Sequence, residues 1–208
     1  MKIHNVEQGS QAWHDLRLGI PTASEFSLIL TKTGKPSDQA KRYAARLVAE
    51  IVLGRSMDKD LSHVEAVQRG HELEPTAALA YEFATDLKTE RVGFITNDDS
   101  TIGVSPDRLV GVDGLVEIKC PMPTNHILYM TMGFEKDYYI QAQGQLLFAE
   151  REWNDRVSYS DELPIYIERT YRDEPFLKKL SQALKDFHEM KMEMLHKVRA
   201  AQIEGMAA

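Results

Sequence analysis

The segment Ser105-Pro106-Asp107 is followed, after nine residues, by Glu117-Ile118-Lys119. On a strand, Glu117 and Lys119 leave the same face. Asp107 stands just ahead of the preceding apolar run, and Val112-Asp113-Gly114 supplies a turn between the two. Such a hairpin can bring the Asp107 and Glu117 carboxylates together. Adjacent carboxylates each raise the cost of ionising the other. A hard divalent cation, Mg²⁺ or Mn²⁺, relieves that conflict, since it binds through one or two carboxylates and keeps waters and substrate phosphates. Lys119 beside it can orient or help deprotonate water and neutralise charge on a phosphate. An ordinary charge ladder on a solvated strand has the same spacing. Two features favour chemistry. Leu115, Val116, Ile118 and Cys120 surround the charges with apolar residues, and buried charges need partners. Upstream, Gly70-His71-Glu72-Leu73-Glu74-Pro75 offers a further carboxylate on a helix.

Other candidates each have a plain structural role to set beside a functional one. Arg17 falls in the last turn of a short helix, where it can fork a phosphate or simply complement the helix dipole. Gln141, Gln143 and Gln145 lie two apart, so on a helix at most one or two reach a site and the rest are expected to be exposed. His71 reads as a surface or capping residue, Cys120 as a small core residue. The segment 31–55 carries Lys32, Lys35, Lys41, Arg42, Arg46 and Arg55 against Asp38 and Glu50, a local balance of +4 in a chain of net charge −7. That is either a solvated helix face or a groove for a nucleic-acid backbone, with Lys41, Arg42 and Arg46 as its contacts.

The elements that must position these residues follow from period and punctuation. The chain has 208 residues, 43% hydrophobic and 27% charged, an ordinary globular composition. A single cysteine excludes a disulfide framework, a Cys-rich zinc site and a four-cysteine cluster. The polar N-terminus and the lack of a long apolar run lead us to expect a cytoplasmic protein without a membrane span. Ser10 caps a short helix, and Thr22 with Glu25 forms a capping box before Phe26, Leu28, Ile29 and Leu30. A helix is expected from about 38 to 53, and another opens at a Ser62/Glu65 capping box and kinks or breaks at Gly70 or Pro75. Strand patterns occupy 91–97, 101–105 and 108–120. Helical spacing returns near 125–132 and 138–149, strands near 155–160 and 164–171. A long helix from about 174 points Phe176, Leu180, Leu184, Phe187, Met194 and Val198 at a core. The order predicts an α/β fold with a mixed sheet. Residues 1–208 read as one unit, with a helical part at about 10–86, sheet and helices at about 87–171 and a C-terminal helix at about 174–203.

Five blocks in order carry a resemblance: Trp13-His-x-Leu-Arg17-Leu-Gly-Ile-Pro-Thr-Ala-Ser24, Gly70-x-x-x-Glu74, Ser105-Pro-Asp107, Glu117-Ile-Lys119-Cys-Pro and Gln141-Ala-Gln143. They resemble the lambda exonuclease family, the YqaJ-type viral recombinase nucleases of the PD-(D/E)xK superfamily. The resemblance spans residues 13 to 143. It implies a restriction-endonuclease-like core, a central mixed β-sheet flanked by helices. It implies Mg²⁺-dependent 5′→3′ degradation of linear duplex DNA that releases mononucleotides and leaves a 3′ single strand for recombination. It further implies a ring-shaped homotrimer and a single-strand annealing protein as partner, with Mn²⁺ able to replace Mg²⁺. By motif position, Asp107, Glu117 and the Ile118 carbonyl would hold the metal, with Glu74 ligating directly or through water. Lys119 would act on the water, Gln141 would set the site, and Arg17, Ser24 and Ser105 would bind the 5′-terminal phosphate. Two alternatives stand beside this: an endonuclease of the same superfamily, and a DNA-end-binding recombination protein without catalysis.

Overall fold

A five-stranded sheet carries the acidic hairpin. In the computed structural model, which describes residues 1–57, 65–134 and 136–207, the first half comprises β1 (Lys2–His4), α1 (Gln11–Arg17), a 3-10 helix (Ala23–Leu28), α2 (Ala40–Leu53) and α3 (Glu65–Thr85). Then come β2 (Glu90–Arg91), β3 (Phe94–Thr96), β4 (Gly103–Val104), β5 (Arg108–Val110) and β6 (Gly114–Lys119). The chain closes with α4 (Pro123–Met132), α5 (Lys136–Phe148), β7 (Trp153–Ser158), β8 (Tyr166–Tyr171) and α6 (Glu174–Ala207). The larger sheet has the order β2-β5-β6-β7-β8, and a smaller one runs β1-β3-β4. β6 and β7 are parallel and the other pairs antiparallel, so the expected mixed α/β architecture is the observed one.

Alternation along β6 divides the interior into two cores. Leu115 joins Phe26, Ile140, Leu146, Leu180 and Phe187 on the side of α5 and α6. Val116, Ile118 and Cys120 join Ala77, Ala78 and Tyr81 of α3. Glu117 and Lys119 share the parity of Leu115, which turns them toward α5.

Several local expectations change. The run 91–97 is two strands, not one, because the chain switches sheets at Gly93. A Cβ there would lie 2.1 Å from the Val6 carbonyl oxygen, so only glycine lets β1's continuation pass so close. The Thr22/Glu25 capping box does not form. Thr22 makes no side-chain cap bond; its hydroxyl faces Ser24 at 3.3 Å, and Glu25 pairs with Arg46. Pro75 neither breaks nor ends α3. His71, whose carbonyl loses its bond to the Pro75 nitrogen, is exposed, where solvent is the substitute partner. Ser62 lies outside the described residues. Along α6, Val198 is 38% exposed rather than part of the core stripe. Among the described residues, no helix is long and apolar enough to cross a membrane.

Lys191 of α6 is a buried cation whose ammonium donates to the Gly19 carbonyl at 2.7 Å. Burial pushes its pKa from the usual 10.5 down to about 8. Between those values the unfolded chain holds a proton that the folded chain has released, so this group's contribution to stability improves as pH rises. Thermal melts at about pH 7.5 and about pH 10 should show wild type gaining on Lys191→Met at the higher pH. A constant or shrinking difference would contradict this.

Candidate active site

The β5–β6 register pairs Arg108 with Val116 and Leu109 with Leu115, so the next position outward sets Asp107 opposite Glu117. Asp107 Oδ2 accepts a hydrogen bond from the Ile118 amide at 2.6 Å. A strand residue sends its amide and carbonyl to the same edge, which brings the Ile118 carbonyl out beside Asp107. Burial, and then the Glu117 charge, push the Asp107 carboxyl well above the usual carboxylate range, while Lys119 and the Ile118 amide oppose them.

Glu117 is 6% exposed and its carboxylate takes three donors. Lys119 Nζ and Gln141 Nε2 reach Oε1 at 2.6 and 2.7 Å, and Gln145 Nε2 reaches Oε2 at 2.6 Å. Burial alone would lower the Lys119 ammonium. The Glu117 and Asp107 carboxylates outweigh it, and the net shift is upward, so the side chain stays charged. Its Nζ also lies 5.4 Å from the Tyr138 ring centroid.

Gln141 and Gln145 sit one turn apart on α5, hence on one face, and Asn154 Nδ2 holds the Gln145 oxygen at 2.7 Å. Gln143 faces the other way, bonding the Tyr171 carbonyl at 2.7 Å and the Asp173 amide at 2.9 Å. The expectation of exposed glutamines is therefore overturned. All three are buried, because α5 is packed on both sides: against β6 on one, against the junction of β8 and α6 on the other.

Glu74 approaches from α3. Its Oε1 accepts from Arg108 Nη1 at 2.7 Å, and the same nitrogen donates to the Asp107 carbonyl at 2.7 Å. The Glu74 charge is felt at Asp107, where it raises the pKa. Among the described residues, no three His, Cys, Asp or Glu side chains form a ready cation cage. Mg²⁺ does not need one, because it keeps several waters and binds substrate phosphates.

The other residues converge from the N-terminal third. The Arg17 guanidinium lies 4.0 Å from the Trp13 ring centroid and its Nη2 reaches the Thr22 hydroxyl at 3.5 Å. Trp13 Nε1 donates to Ser105 Oγ at 3.0 Å, and Ser105 Oγ donates to the Gly93 carbonyl at 2.6 Å. One polar cleft of about 170 Å³ is lined by Arg17, Ser24 and Ser105 together with Glu117, Lys119, Gln141 and Gln145; Gln8 and Trp13 also line it. Lys41 and Arg42 are exposed on α2. Arg46 is half-buried, paired with Glu25 and set over the Tyr43 ring at 4.8 Å, so it does not stand out on that face with them.

A family model described as the YqaJ-like viral recombinase domain matches residues 12–152. The chain belongs to the YqaJ-like viral recombinase family. The matched span contains Arg17, Ser24, Glu74, Ser105, Asp107, Glu117, Ile118, Lys119 and Gln141; α6 lies beyond it. Among solved structures, the alkaline exonuclease LHK-Exo from Laribacter hongkongensis is 31% identical, with a TM-score of 0.84 over 94% of this chain and 99% of that one. The same enzyme in complex with dAMP matches at 30% identity and a TM-score of 0.83, with the same coverage. A phage-related exonuclease from Haemophilus somnus 129PT shares the fold at 16% identity and a TM-score of 0.70, over 86% and 96% of the two chains. Among curated proteins, none matches the chain.

Beyond the residues singled out from this family member's sequence, the structure adds Trp13 as a link between Arg17 and Ser105, Gln145 as a donor to Glu117, Arg108 as the partner of Glu74, and Tyr138 beside Lys119. Gln145 carried a signal, its four-residue spacing from Gln141. Trp13 shares that spacing with Arg17, but its bond to Ser105, like the meeting of Arg108 with Glu74 and of Tyr138 with Lys119, joins distant parts of the chain and has no local signal.

Proposed function

We propose that this protein is a Mg²⁺-dependent 5′→3′ exonuclease acting on double-stranded DNA. It releases 5′-mononucleotides from 5′-phosphorylated ends and leaves a 3′ single strand for recombination by strand annealing. The observation that carries this reading is the shared cleft, in which Arg17, Ser24 and Ser105 line the same cavity as Glu117 and Lys119. An enzyme that removes one nucleotide at a time needs a seat for the terminal phosphate close to the place of cleavage. Family membership supports nuclease chemistry, and the relative LHK-Exo was crystallised with a mononucleotide, dAMP.

The donor chemistry fits a hard cation. Burial and the Glu117 charge push the Asp107 carboxyl pKa upward, a cost of ionisation that a divalent ion would relieve. Asp107, Glu117 and the Ile118 carbonyl would hold it, with Glu74 close behind on Arg108. When bound, Mg²⁺ supplies a Lewis acid for the scissile phosphate and lowers the pKa of water; Mn²⁺ would substitute. Lys119, kept cationic by the two carboxylates, stabilises negative charge that develops on the phosphate and orients the attacking water. Gln141 and Gln145 hold the Glu117 carboxylate in one rotamer. Arg17 presents its fork to the terminal phosphate, with the Ser24 hydroxyl as a neutral donor; Ser105 would join it by turning its one hydroxyl proton away from the Gly93 carbonyl. The wider reading rests on the resemblance: residues 1–208 as one PD-(D/E)xK nuclease unit, a homotrimeric ring around DNA with Lys41, Arg42 and Arg46 near the duplex, a single-strand annealing partner, and a cytoplasmic location.

Digestion of end-labelled linear duplex and of covalently closed circular duplex tests this. Mononucleotides should appear from the linear DNA with Mg²⁺, stop on adding EDTA, and never appear from the circle. Cutting of the circle would instead establish the endonuclease reading. End binding without release would leave a recombination scaffold.

A further inference from the structure

We infer that Lys191 and Glu50 are positioning residues for the terminal-phosphate pocket: they grip Gly19 from two sides and so hold Arg17 and Ser24 at their working separation. The inference rests on the phosphate-pocket reading given above.

Gly19 lies in the connector between Arg17, the last residue of α1, and Thr22 and Ser24 at the start of the 3-10 helix. Its φ is +70°, and a Cβ there would lie 2.3 Å from Ile51 Cγ1, so the connector passes against α2 in a left-handed turn that glycine accepts. Both of its backbone polar groups go to buried ionic side chains. The Gly19 amide donates to Glu50 Oε2 of α2 at 3.0 Å, and Lys191 of α6 donates to the Gly19 carbonyl at 2.7 Å. Glu50 is 4% exposed and Lys191 3%. The second Glu50 oxygen accepts the Met57 amide at 3.1 Å.

Burying a carboxylate and an ammonium is costly, and the downward shift of the Lys191 pKa by burial is in keeping with that cost. α2 and α6 pack on each other, and apolar side chains would join them at less expense. What charges add is a pair of short, directional, charge-assisted hydrogen bonds, and both converge on one residue of the connector. That residue sits two positions from the Arg17 guanidinium's own backbone and five from Ser24. Recognition of a terminal phosphate by a fork and hydroxyls depends on their separation, and an error of about 1 Å in such placement is expensive.

The experiment measures kcat and KM on linear duplex bearing a 5′-phosphate or a 5′-hydroxyl, with the full-length protein. Arg17→Ala should bring the phosphate-to-hydroxyl ratio of kcat/KM toward one. Lys191→Met should lower that ratio by about tenfold, through KM for the phosphorylated end, with the rate on the 5′-hydroxyl end within roughly twofold of wild type. Lys191→Arg, which still donates, should restore most of the ratio. Glu50→Gln keeps the side chain's shape and an acceptor oxygen; it should lower the ratio by about threefold and carries the test should Lys191→Met not fold. An unchanged ratio in Lys191→Met or Glu50→Gln, with Arg17→Ala losing it, overturns the positioning role and leaves the pocket standing. An unchanged ratio in Arg17→Ala overturns the pocket itself. Equal losses on both ends would reduce Lys191 to a general structural role and also overturn the inference.

Discussion

Asp107→Asn is expected to lower mononucleotide release from linear duplex by about 10³-fold or more, with binding to the duplex end retained. The substitution keeps the shape of the side chain and an oxygen for the Ile118 amide. It removes the charge that, with Glu117, would hold the cation. A metal supplies several kcal/mol of transition-state stabilisation, and ~4 kcal/mol corresponds to about 10³ in rate. Lys119→Met should lose a comparable factor for a different reason, because in the proposed mechanism it removes the cation that would face the phosphate rather than a metal ligand. Calorimetric titration with Mn²⁺ separates the two. Affinity should fall in Asp107→Asn and be kept in Lys119→Met, where the Glu117 oxygen now contacted by Lys119 at 2.6 Å is released. Turnover within about tenfold of wild type in Asp107→Asn would remove the metal assignment. Equal loss of Mn²⁺ affinity in both variants would remove the division of labour between them.

Asp155→Ala is expected to destabilise the fold by about 2–4 kcal/mol, mostly from the buried Tyr81 hydroxyl left without its acceptor, with a smaller share from the ion pair because Arg169 reaches solvent. Asp155 is 1% exposed on β7 and takes three bonds. Arg169 Nε and Nη2 reach its two oxygens at 2.7 Å each, and the Tyr81 hydroxyl donates at 2.7 Å. The Tyr81 phenol is held protonated well above its usual range, by burial first and then by Asp155. Alanine would strand that fully buried hydroxyl and leave Arg169, stacked on Trp153 at 3.8 Å, without its fork partner. At roughly 2–4 °C per kcal/mol for a chain of this size, Tm should fall by about 10 °C. Asp155→Asn should recover part of the loss. A fall in Tm under about 3 °C in Asp155→Ala would show that the bonds across β7 and β8 offset little more than their own desolvation.

Much of this molecule is written in short-range pattern. The alternation of Leu115, Glu117 and Lys119 against Val116, Ile118 and Cys120 is a two-residue period, and the pleat converts it directly into opposite faces. The Val112-Asp113-Gly114 turn then makes Asp107 and Glu117 neighbours in register. The stripe of Phe176, Leu180, Leu184 and Phe187 likewise needs nothing beyond helical spacing to face the core. These features depend on residues a few positions apart, so the chain itself dictates them.

Long-range packing decided the rest. Pattern alone did not reveal that the run 91–97 divides between two sheets, since that depends on the backbone of Val6 passing Gly93. Thr22 and Glu25 satisfy a capping rule locally, yet Arg17, Ser24 and Arg46 offer them partners that win. The glutamines of α5 that do not reach the site read as exposed until β8 and α6 close over the second face. Above all, the cleft that joins Arg17 to Lys119 is assembled by Trp13 reaching Ser105, 92 residues away. Side chains so far apart in the chain meet because burying two apolar cores brings their elements together, and only the folded molecule determines which polar groups are then left facing one another.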